Sequence, residues 1–276
     1  MNALEDYELK IEPPKKFSFG FRELWHYREL FYFFTWRDVK VKYKQTVLGL
    51  LWVLLQPALM VVILTFASKK LGSSSGGISP TIFVFSGLVF WNAFSSSLLN
   101  GGNSMVTNAP VIRKIYFPRL IIPLSSILVA LFDWVATFML FLVTLFFFQV
   151  KTDWINALWC WPAALVLMVT GTAGLCCWLA ALNVKYRDFR YVVPFALQAM
   201  LFLTPVLYPI DILYYPGLQY VLALNPMYGV IEIFRYPLVH TLDTRLLMVS
   251  LTSSCALMVM GLYYFKKTEH YFADLA

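Results

Sequence analysis

The chain has 276 residues, of which 60% are hydrophobic, 18% aromatic and 13% charged, and its mean hydropathy is +0.68. Soluble domains are nearer half apolar and a quarter charged, so this composition excludes an ordinary soluble domain. The formal net charge is +7, but the basic residues form separate groups between apolar stretches, which argues against nucleic-acid binding. The sequence predicts an all-α, polytopic membrane protein.

The region before the first long apolar stretch divides into two parts. Residues 1–20 are polar and contain no short apolar core of the signal-peptide type, so we expect a flexible cytosolic tail. Residues 21–46 place most charged side chains on one arc of a helix and most aromatic side chains on the opposite side. This pattern predicts an amphipathic helix that lies at the membrane interface.

Six apolar segments are long enough to cross a bilayer as helices, because its hydrocarbon core requires roughly 20 apolar residues. They span about 47–68, 81–99, 120–149, 155–184, 191–210 and 246–265. Residues 100–119 are predicted to form the longest inner loop. Residues 211–240 contain apolar stretches that prolines interrupt, each shorter than a bilayer, which predicts short re-entrant outer helices before the last span.

The distribution of basic residues predicts the orientation. Of the 22 Lys and Arg residues, 17 lie before residue 47 or at 113–119, 185–190 and 266–267. Cytoplasmic loops carry an excess of Lys and Arg, so we expect the N-terminus and the C-terminal residues 267–276 to be cytoplasmic. Six spans fit this parity.

The sequence offers little sign of enzymatic chemistry. It contains no GxxxxGK[ST] and no HExxH motif, and its three histidines are not spaced as ligand pairs. Its four cysteines lie in or beside predicted spans and lack metal-ligand spacing. We therefore predict no catalytic residues, no metal and no cofactor on this chain.

Asp133 is the one acid deep within a predicted span. A charge in the bilayer is costly and is a functional candidate by default. Three interpretations remain open: Asp133 pairs with a neighbouring helix, it is a structural hydrogen-bonding group, or it relays protons. Large rings on or near the spans also have two interpretations, because they either pack in the core and face lipid or line a pathway on which sugar rings stack.

Three stretches carry a family resemblance. "WRDVKVKYKQTVLGLLWVLLQPALMVVI", from Trp36, resembles the start of the membrane subunit of polysaccharide-exporting ABC transporters, the ABC-2 permease class. "TNAPVIRKIYFPRLIIPLSSIL" at 107–128 and "LNPMYGVIEIFRYPL" at 224–238 are similar to two later segments of that family. The resemblance covers nearly the whole chain and implies an ABC-2 type transmembrane domain over residues 47–266.

This resemblance implies ATP-driven export of a lipid-linked polysaccharide, with O-antigen as the first candidate, across the bacterial inner membrane. It implies an active unit of two copies of this chain and two ABC ATPase subunits, which hold ATP and Mg. The remaining expected partners are the lipid-linked polysaccharide and membrane lipids, and no nucleic acid is expected.

The resemblance and the side-chain chemistry together suggest roles for individual residues. Those predicted to couple to the ATPase are Arg22, Glu23, His26, Thr107, Asn108, Arg113, Lys114, Arg187 and Asp188. Those predicted to line the substrate channel are Trp52, Gln56, Phe90, Trp91 and Tyr208. The predicted outer gate, within residues 211–240, contains Tyr214, Tyr215, Tyr228 and Phe234.

Arg37, Lys40 and Lys42 stand beside the first span, and two interpretations remain open for them. They either set orientation and bind lipid headgroups, or they also capture the anionic lipid-diphosphate end of the substrate. Three alternative functions remain open as well: export of a drug or small lipid by the same class, a membrane-embedded glycan-transferring enzyme, and a non-catalytic scaffold. A transferase needs clustered acids or bases that face one side of the membrane, and the sequence shows none.

Overall fold

The computed structural model describes residues 21–44, 51–70, 78–208 and 216–269. The predicted tail, the gate residues Tyr214 and Tyr215, and the chain after residue 269 lie outside the described residues. Within these ranges the chain forms eleven helices and no strand. The prediction of an all-α protein is therefore confirmed.

The helices in chain order are α1 (Phe21–His26), α2 (Arg28–Lys44), α3 (Leu51–Lys70), α4 (Pro80–Thr107), α5 (Ala109–Ile112), α6 (Ile121–Phe147), α7 (Trp154–Lys185), α8 (Phe189–Leu203), α9 (Pro216–Ala223), α10 (Pro226–Val239) and α11 (Thr244–Thr268). Among the described residues, α4, α6, α7 and α11 are long and apolar enough to cross a membrane. The apolar part of α3, Leu51–Ile63, and α8 are shorter. The multi-pass membrane character is confirmed, whereas the count of six spans stays a prediction.

Short polar side chains fix where the long helices begin. The Ser79 hydroxyl accepts a hydrogen bond from the backbone N–H of Ile82, and Pro80 follows as the first residue of α4. Asp153 and Asp243 accept backbone N–H bonds in the first turns of α7 and α11. These caps supply acceptors to N–H groups that have no partner within a helix.

Two helix ends differ from the predicted spans. The helix predicted to end near residue 99 continues to Thr107, through most of the predicted inner loop. Its polar residues bond back to the helix, as in the 2.6 Å bond from the Ser104 hydroxyl to the Gly101 carbonyl. The span predicted over 191–210 is a helix only to Leu203, because Thr204 is extended and a proline follows it.

One end of the bundle collects basic residues, and we call it the basic end. It contains the C-terminal ends of α4, α7 and α11 and the start of α6, which share an apolar cluster that includes Phe34, Met105, Phe117 and Phe265. The opposite end, which we call the far end, contains the starts of these three helices together with α9 and α10. A larger apolar cluster around α4 fills the space between the two ends.

Helices α7 and α11 approach each other closely at two glycines. A Cβ atom placed on Gly261 would lie 1.9 Å from the Gly174 carbonyl oxygen, and one on Gly174 would lie 2.3 Å from the Leu257 carbonyl oxygen. Small residues let helix backbones come this near, which is how helices associate where lipid provides no hydrophobic driving force.

We expect Gly261→Ala to destabilise the protein, because the added methyl group forces α7 and α11 apart. Overpacking of this kind costs about 1–3 kcal/mol. The measurement is the thermal midpoint of the detergent-solubilised protein. Gly217→Ala in α9 is the matched control, since nothing lies within 4 Å of its Cβ position, and we expect no loss there. Equal midpoints for the two variants would contradict the close crossing of α7 and α11.

Candidate coupling site and substrate path

Helix α2 is bonded directly to the end of α4. The Arg37 guanidinium donates a 2.8 Å hydrogen bond to Asn108 Oδ1, and Asn108 Nδ2 donates to the Ser104 carbonyl at 2.9 Å. Asn108 therefore caps the last turn of α4 and holds α2 at the same time. Sequence reasoning assigned Arg37 to substrate capture and Asn108 to ATPase coupling, and the structure brings the two together.

An aromatic contact reinforces this junction. Phe34 on α2 is 2% exposed, and its ring centroid lies 5.6 Å from that of Phe117. The Arg37 guanidinium carbon lies 4.9 Å from the Phe34 ring centroid, within the range of a cation–π contact. Phe34 also belongs to the apolar cluster of the basic end, so α2, α4, α7 and α11 share one core there.

The basic end also presents an exposed, charged surface. Of the residues predicted to contact an ATPase, six are exposed: His26, Thr107, Arg113, Lys114, Arg187 and Asp188. The side chains of Arg22 and Glu23 lie outside what the structure describes. Sequence reasoning missed Ile115 and Tyr116, which are 51% and 84% exposed in the turn after α5. Tyrosine and arginine side by side on a surface are typical of protein–protein contacts.

Asp133 receives two donors from the end of α2. The Lys42 ammonium forms an ion pair with Asp133 Oδ2, and the Tyr43 hydroxyl donates to Asp133 Oδ1. Asp133 lies about 18 Å along α6 from Ile121, at 1.5 Å per residue. The structure thus gives Asp133 the partner on a neighbouring helix that one sequence interpretation anticipated.

The Tyr43 hydroxyl donates a hydrogen bond to the Asp133 carboxylate. Burial, and then the hydrogen bond to the Asp133 carboxylate, raise the pKa of the Tyr43 phenol, so the hydroxyl stays protonated and donates. The Tyr43 and Phe132 ring centroids are 6.1 Å apart. Since Phe34 of α2 contacts Phe117, four residues before α6, and Tyr43 contacts the middle of α6, the two helices run side by side in the same direction.

A groove of about 270 Å³ separates α2 from α6 along this course. Its lining is almost wholly apolar: Tyr32, Thr35, Trp36, Val39, Leu128, Leu131, Phe132 and Val135. The Lys40 ammonium lies 5.2 Å from the Trp36 ring centroid and is exposed. Of the three cations predicted to meet the substrate, Lys40 is thus the one that no carboxylate or amide contacts within the described residues.

The predicted channel residues fall into two groups. Trp52 is 52% exposed and Gln56 is exposed, both on α3. Phe90 and Trp91 are 0% and 5% exposed on α4, and Tyr208 is half-buried with its hydroxyl bonded to a backbone carbonyl. Only the α3 pair therefore faces outward from this chain.

The predicted gate residues that the structure describes are part of the core. Tyr228 and Phe234 on α10 are 1% and 0% exposed. The Phe234 ring lies 4.7 Å from Phe90, centroid to centroid, and 5.2 Å from Phe141. Phe90 and Phe234, assigned to channel and gate, thus pack in one aromatic cluster.

Helices α3 and α8 present matching apolar faces. The exposed residues of α3 include Trp52, Gln56, Leu59 and Ile63, and those of α8 include Tyr191, Phe195, Gln198 and Phe202. Both sets follow the spacing i, i+4, i+7 and i+11, which is one helix face. Each face carries a single glutamine among large apolar side chains. No cluster of His, Cys, Asp or Glu that could hold a metal occurs in the described part of the chain.

Arg235 is a buried cation that the sequence analysis did not single out. It is 4% exposed on α10, and its guanidinium bonds only backbone carbonyls and a serine hydroxyl among the described residues. The missed signal is its position in "VIEIFRYPLV", where Ile231, Leu238 and Val239, at i−4, i+3 and i+4, are apolar. A helix buried on that face carries the arginine inside with them.

Comparison with known proteins decides the family. The family model described as ABC-2 type transporter matches residues 29–239. The chain belongs to the ABC-2 type transporter family. The resemblance noted in the sequence is thereby confirmed, and the matched range runs from the start of α2 to the end of α10 of this ABC-2 permease.

Individual relatives carry a more specific name. An O-antigen export system permease protein RfbA of Klebsiella pneumoniae is 29% identical over 240 residues, which cover 87% of this chain and 92% of that protein. A second protein of the same name from that organism is 28% identical over the same coverage. The RfbA of Myxococcus xanthus is 30% identical over 215 residues, covering 78% of this chain and 82% of its own.

The contact between Lys42 and Asp133 predicts a measurable coupling in this ABC-2 permease. We expect Lys42→Met and Asp133→Asn each to lower the thermal midpoint, and the double variant to cost less than their sum. The coupling energy should be about 1 kcal/mol, the upper value for partly exposed ion pairs. Lys40→Met combined with Asp133→Asn is the control cycle, and it should be additive. Additivity in both cycles would show that α2 is not held by Asp133.

Proposed function

We propose that this chain is the transmembrane subunit of an ATP-driven exporter that moves a lipid-linked polysaccharide, with O-antigen as the substrate class, out of the cytoplasm. The observation that carries this proposal is the similarity to three O-antigen export permeases over 82–92% of their own lengths. The family match supports it independently. The drug-export, transferase and scaffold alternatives have no comparable observation in their favour.

The proposed orientation places the basic end in the cytoplasm and the far end on the outer side of a bacterial inner membrane. The excess of Lys and Arg at one end supports it, because cytoplasmic loops carry that excess. The start of α2 and the end of α11 both lie at the basic end, so both chain termini are cytoplasmic in this arrangement. ATP hydrolysis, with Mg, is assigned to a separate ABC ATPase.

Two copies of the chain would form the channel, with the matching faces of α3 and α8 toward each other. The glutamines at the centre of these faces support this placement, since a polar side chain in a span usually faces a partner or a water-filled cavity. Trp52 would then offer a ring on which sugar faces stack without a fixed register, and Gln56 would offer hydrogen bonds. Lys40 is the cation best placed to meet the anionic end of the lipid carrier.

The coupling element in this proposal is the junction of α2 and α4. Two ATPase subunits would dock on the exposed residues of the basic end, including Arg113 and Lys114. Movement of that surface would displace α2 through the hydrogen bond between Arg37 and Asn108. It would then displace α6 through the contact of α2 with Asp133. Coupling requires an element with two states that both sites bias, and α2 contacts both.

The test begins with the chain purified from gently solubilised native membranes. We expect a stoichiometric partner that carries a P-loop and hydrolyses ATP. In that complex, Arg113→Glu combined with Lys114→Glu should uncouple ATP hydrolysis from export and leave membrane insertion unchanged. Reversal of two surface charges opposes the docking of a complementary partner.

The matched control is Lys151→Glu combined with Arg245→Glu, which reverses two exposed charges at the far end and should leave coupling intact. Normal export by the Arg113 and Lys114 variant would contradict the coupling role. A chain that purifies alone and without ATPase activity would contradict the proposed function itself.

A further inference from the structure

Arg235 joins three parts of the far end. Its Nε donates to the Ser86 hydroxyl at 2.9 Å, and one Nη2 donor reaches the Phe83 carbonyl at 2.9 Å, both in α4. Its Nη1 donates to the Pro205 carbonyl at 2.7 Å, and Nη2 also reaches the Val206 carbonyl at 3.0 Å. The guanidinium carbon lies 3.6 Å from the Phe83 ring centroid.

The carbonyls at Pro205 and Val206 are available because α8 has ended. Thr204 has ψ of 141°, so the chain leaves the helix there, and the following proline cannot donate a backbone N–H. Buried carbonyls without a helical partner need a donor from elsewhere. The five N–H groups of a guanidinium fork suit several such acceptors at once, and an arginine on α10 supplies them.

A second hydrogen bond joins the end of α8 to the start of α10. Asn225 Nδ2 donates to Thr204 Oγ1 at 2.7 Å, while Asn225 Oδ1 accepts the Met227 N–H at 3.0 Å and caps α10. The residue that follows α8, Thr204, and the residue that precedes α10, Asn225, are therefore bonded to each other. The described part of the chain between them includes α9, where Leu218, Tyr220 and Val221 are 43%, 43% and 60% exposed.

Helix α10 is hydrogen-bonded to α11, to α7 and to the residue that precedes α7. The Ser250 hydroxyl of α11 accepts the Gly229 N–H at 3.0 Å. The Trp161 indole N–H donates to the Phe234 carbonyl at 3.2 Å, and the Asp153 N–H donates to the Pro237 carbonyl at 3.0 Å. These bonds attach α10 to α7 and α11, so it is part of the fixed scaffold and Arg235 is a fixed point on it.

We propose that Arg235 and Asn225 are positioning residues for export: they hold the end of α8, whose exposed face the proposed function places in the channel, against α10 and α4. The proposal rests on the proposed function for its transport readout. Tyr228 and Phe234, predicted from the sequence as gate residues, then belong to the scaffold.

The main test replaces Arg235 by long side chains that lack the planar guanidinium fork. We expect Arg235→Met to remain inserted and bound to the ATPase, and its export to fall at least about tenfold, the change that 1.4 kcal/mol produces. Arg235→Lys keeps the charge but loses the planar fork, so it should fall in the same way. Arg245→Met, at an exposed arginine of α11, is the matched control and should export normally.

A rescue separates positioning from a general role in folding. Thr204→Cys and Asn225→Cys are introduced together and joined with a short bis-methanethiosulfonate cross-linker, which reduction removes. Cross-linking should restore export to the Arg235→Met protein, and reduction should abolish it again. Arg235→Met with the cross-linker but without the cysteine pair controls for reaction at the native cysteines.

Cross-linking yield gives a readout that does not depend on transport. The cysteine pair should react more slowly when Arg235→Met is present, because the end of α8 is no longer held. Equal rates, normal export by Arg235→Met, or failure of the cross-link to rescue would each overturn the proposal. If Arg235→Met is not recovered in the membrane, Asn225→Ala takes its place, and normal export by that variant overturns the proposal. A wild-type complex that moves no glycan, with the difference in rates intact, would instead count against the proposed function.

Discussion

A charged side chain between apolar helices must find its partners within the protein, because hydrocarbon offers none. This constraint explains the three charged contacts that organise the molecule. Arg37 bonds the cap of α4, Lys42 neutralises Asp133 on α6, and Arg235 takes up the carbonyls that the end of α8 leaves open. Each contact joins a shorter helix or its end to a long helix, so the charges help determine how the shorter helices attach to the bundle.

These attachments give the two ends of the molecule different surfaces. At the basic end, α2 shares a core with α4, α7 and α11 and presents exposed cations, which suits a surface that receives a push from an ATPase. At the far end, α10 is built into the scaffold while α9 is mostly exposed. Between them, α3 and α8 show apolar faces with one glutamine each. Within the proposed exporter, force would enter at the basic end and the sugar chain would pass along α3 and α8.

Composition and hydropathy predicted the helical class, the long helices and the basic end, because these depend on local sequence. Residue roles were harder to predict. Phe90 and Phe234 were assigned to the channel and the gate because their exposure could not be read from one sequence, and in the structure they pack edge to face in the core. Helix α4 passes through the polar "NGGNS" because its side chains bond back to the helix. The roles of Arg235 and Asn225 depend on residues twenty or more positions away, and no periodicity reports such contacts.

The most direct test of the account is ATP-dependent translocation by the reconstituted complex. Inside-out vesicles that contain this chain and its ATPase would receive a lipid-linked polysaccharide on their outer face, and lectin accessibility would follow the glycan. The account predicts that the glycan becomes protected only when ATP is hydrolysed, and that its covalent structure is unchanged. Protection without ATP hydrolysis, or a glycan that is transferred to another acceptor without crossing, would contradict the assignment of this chain as an export permease.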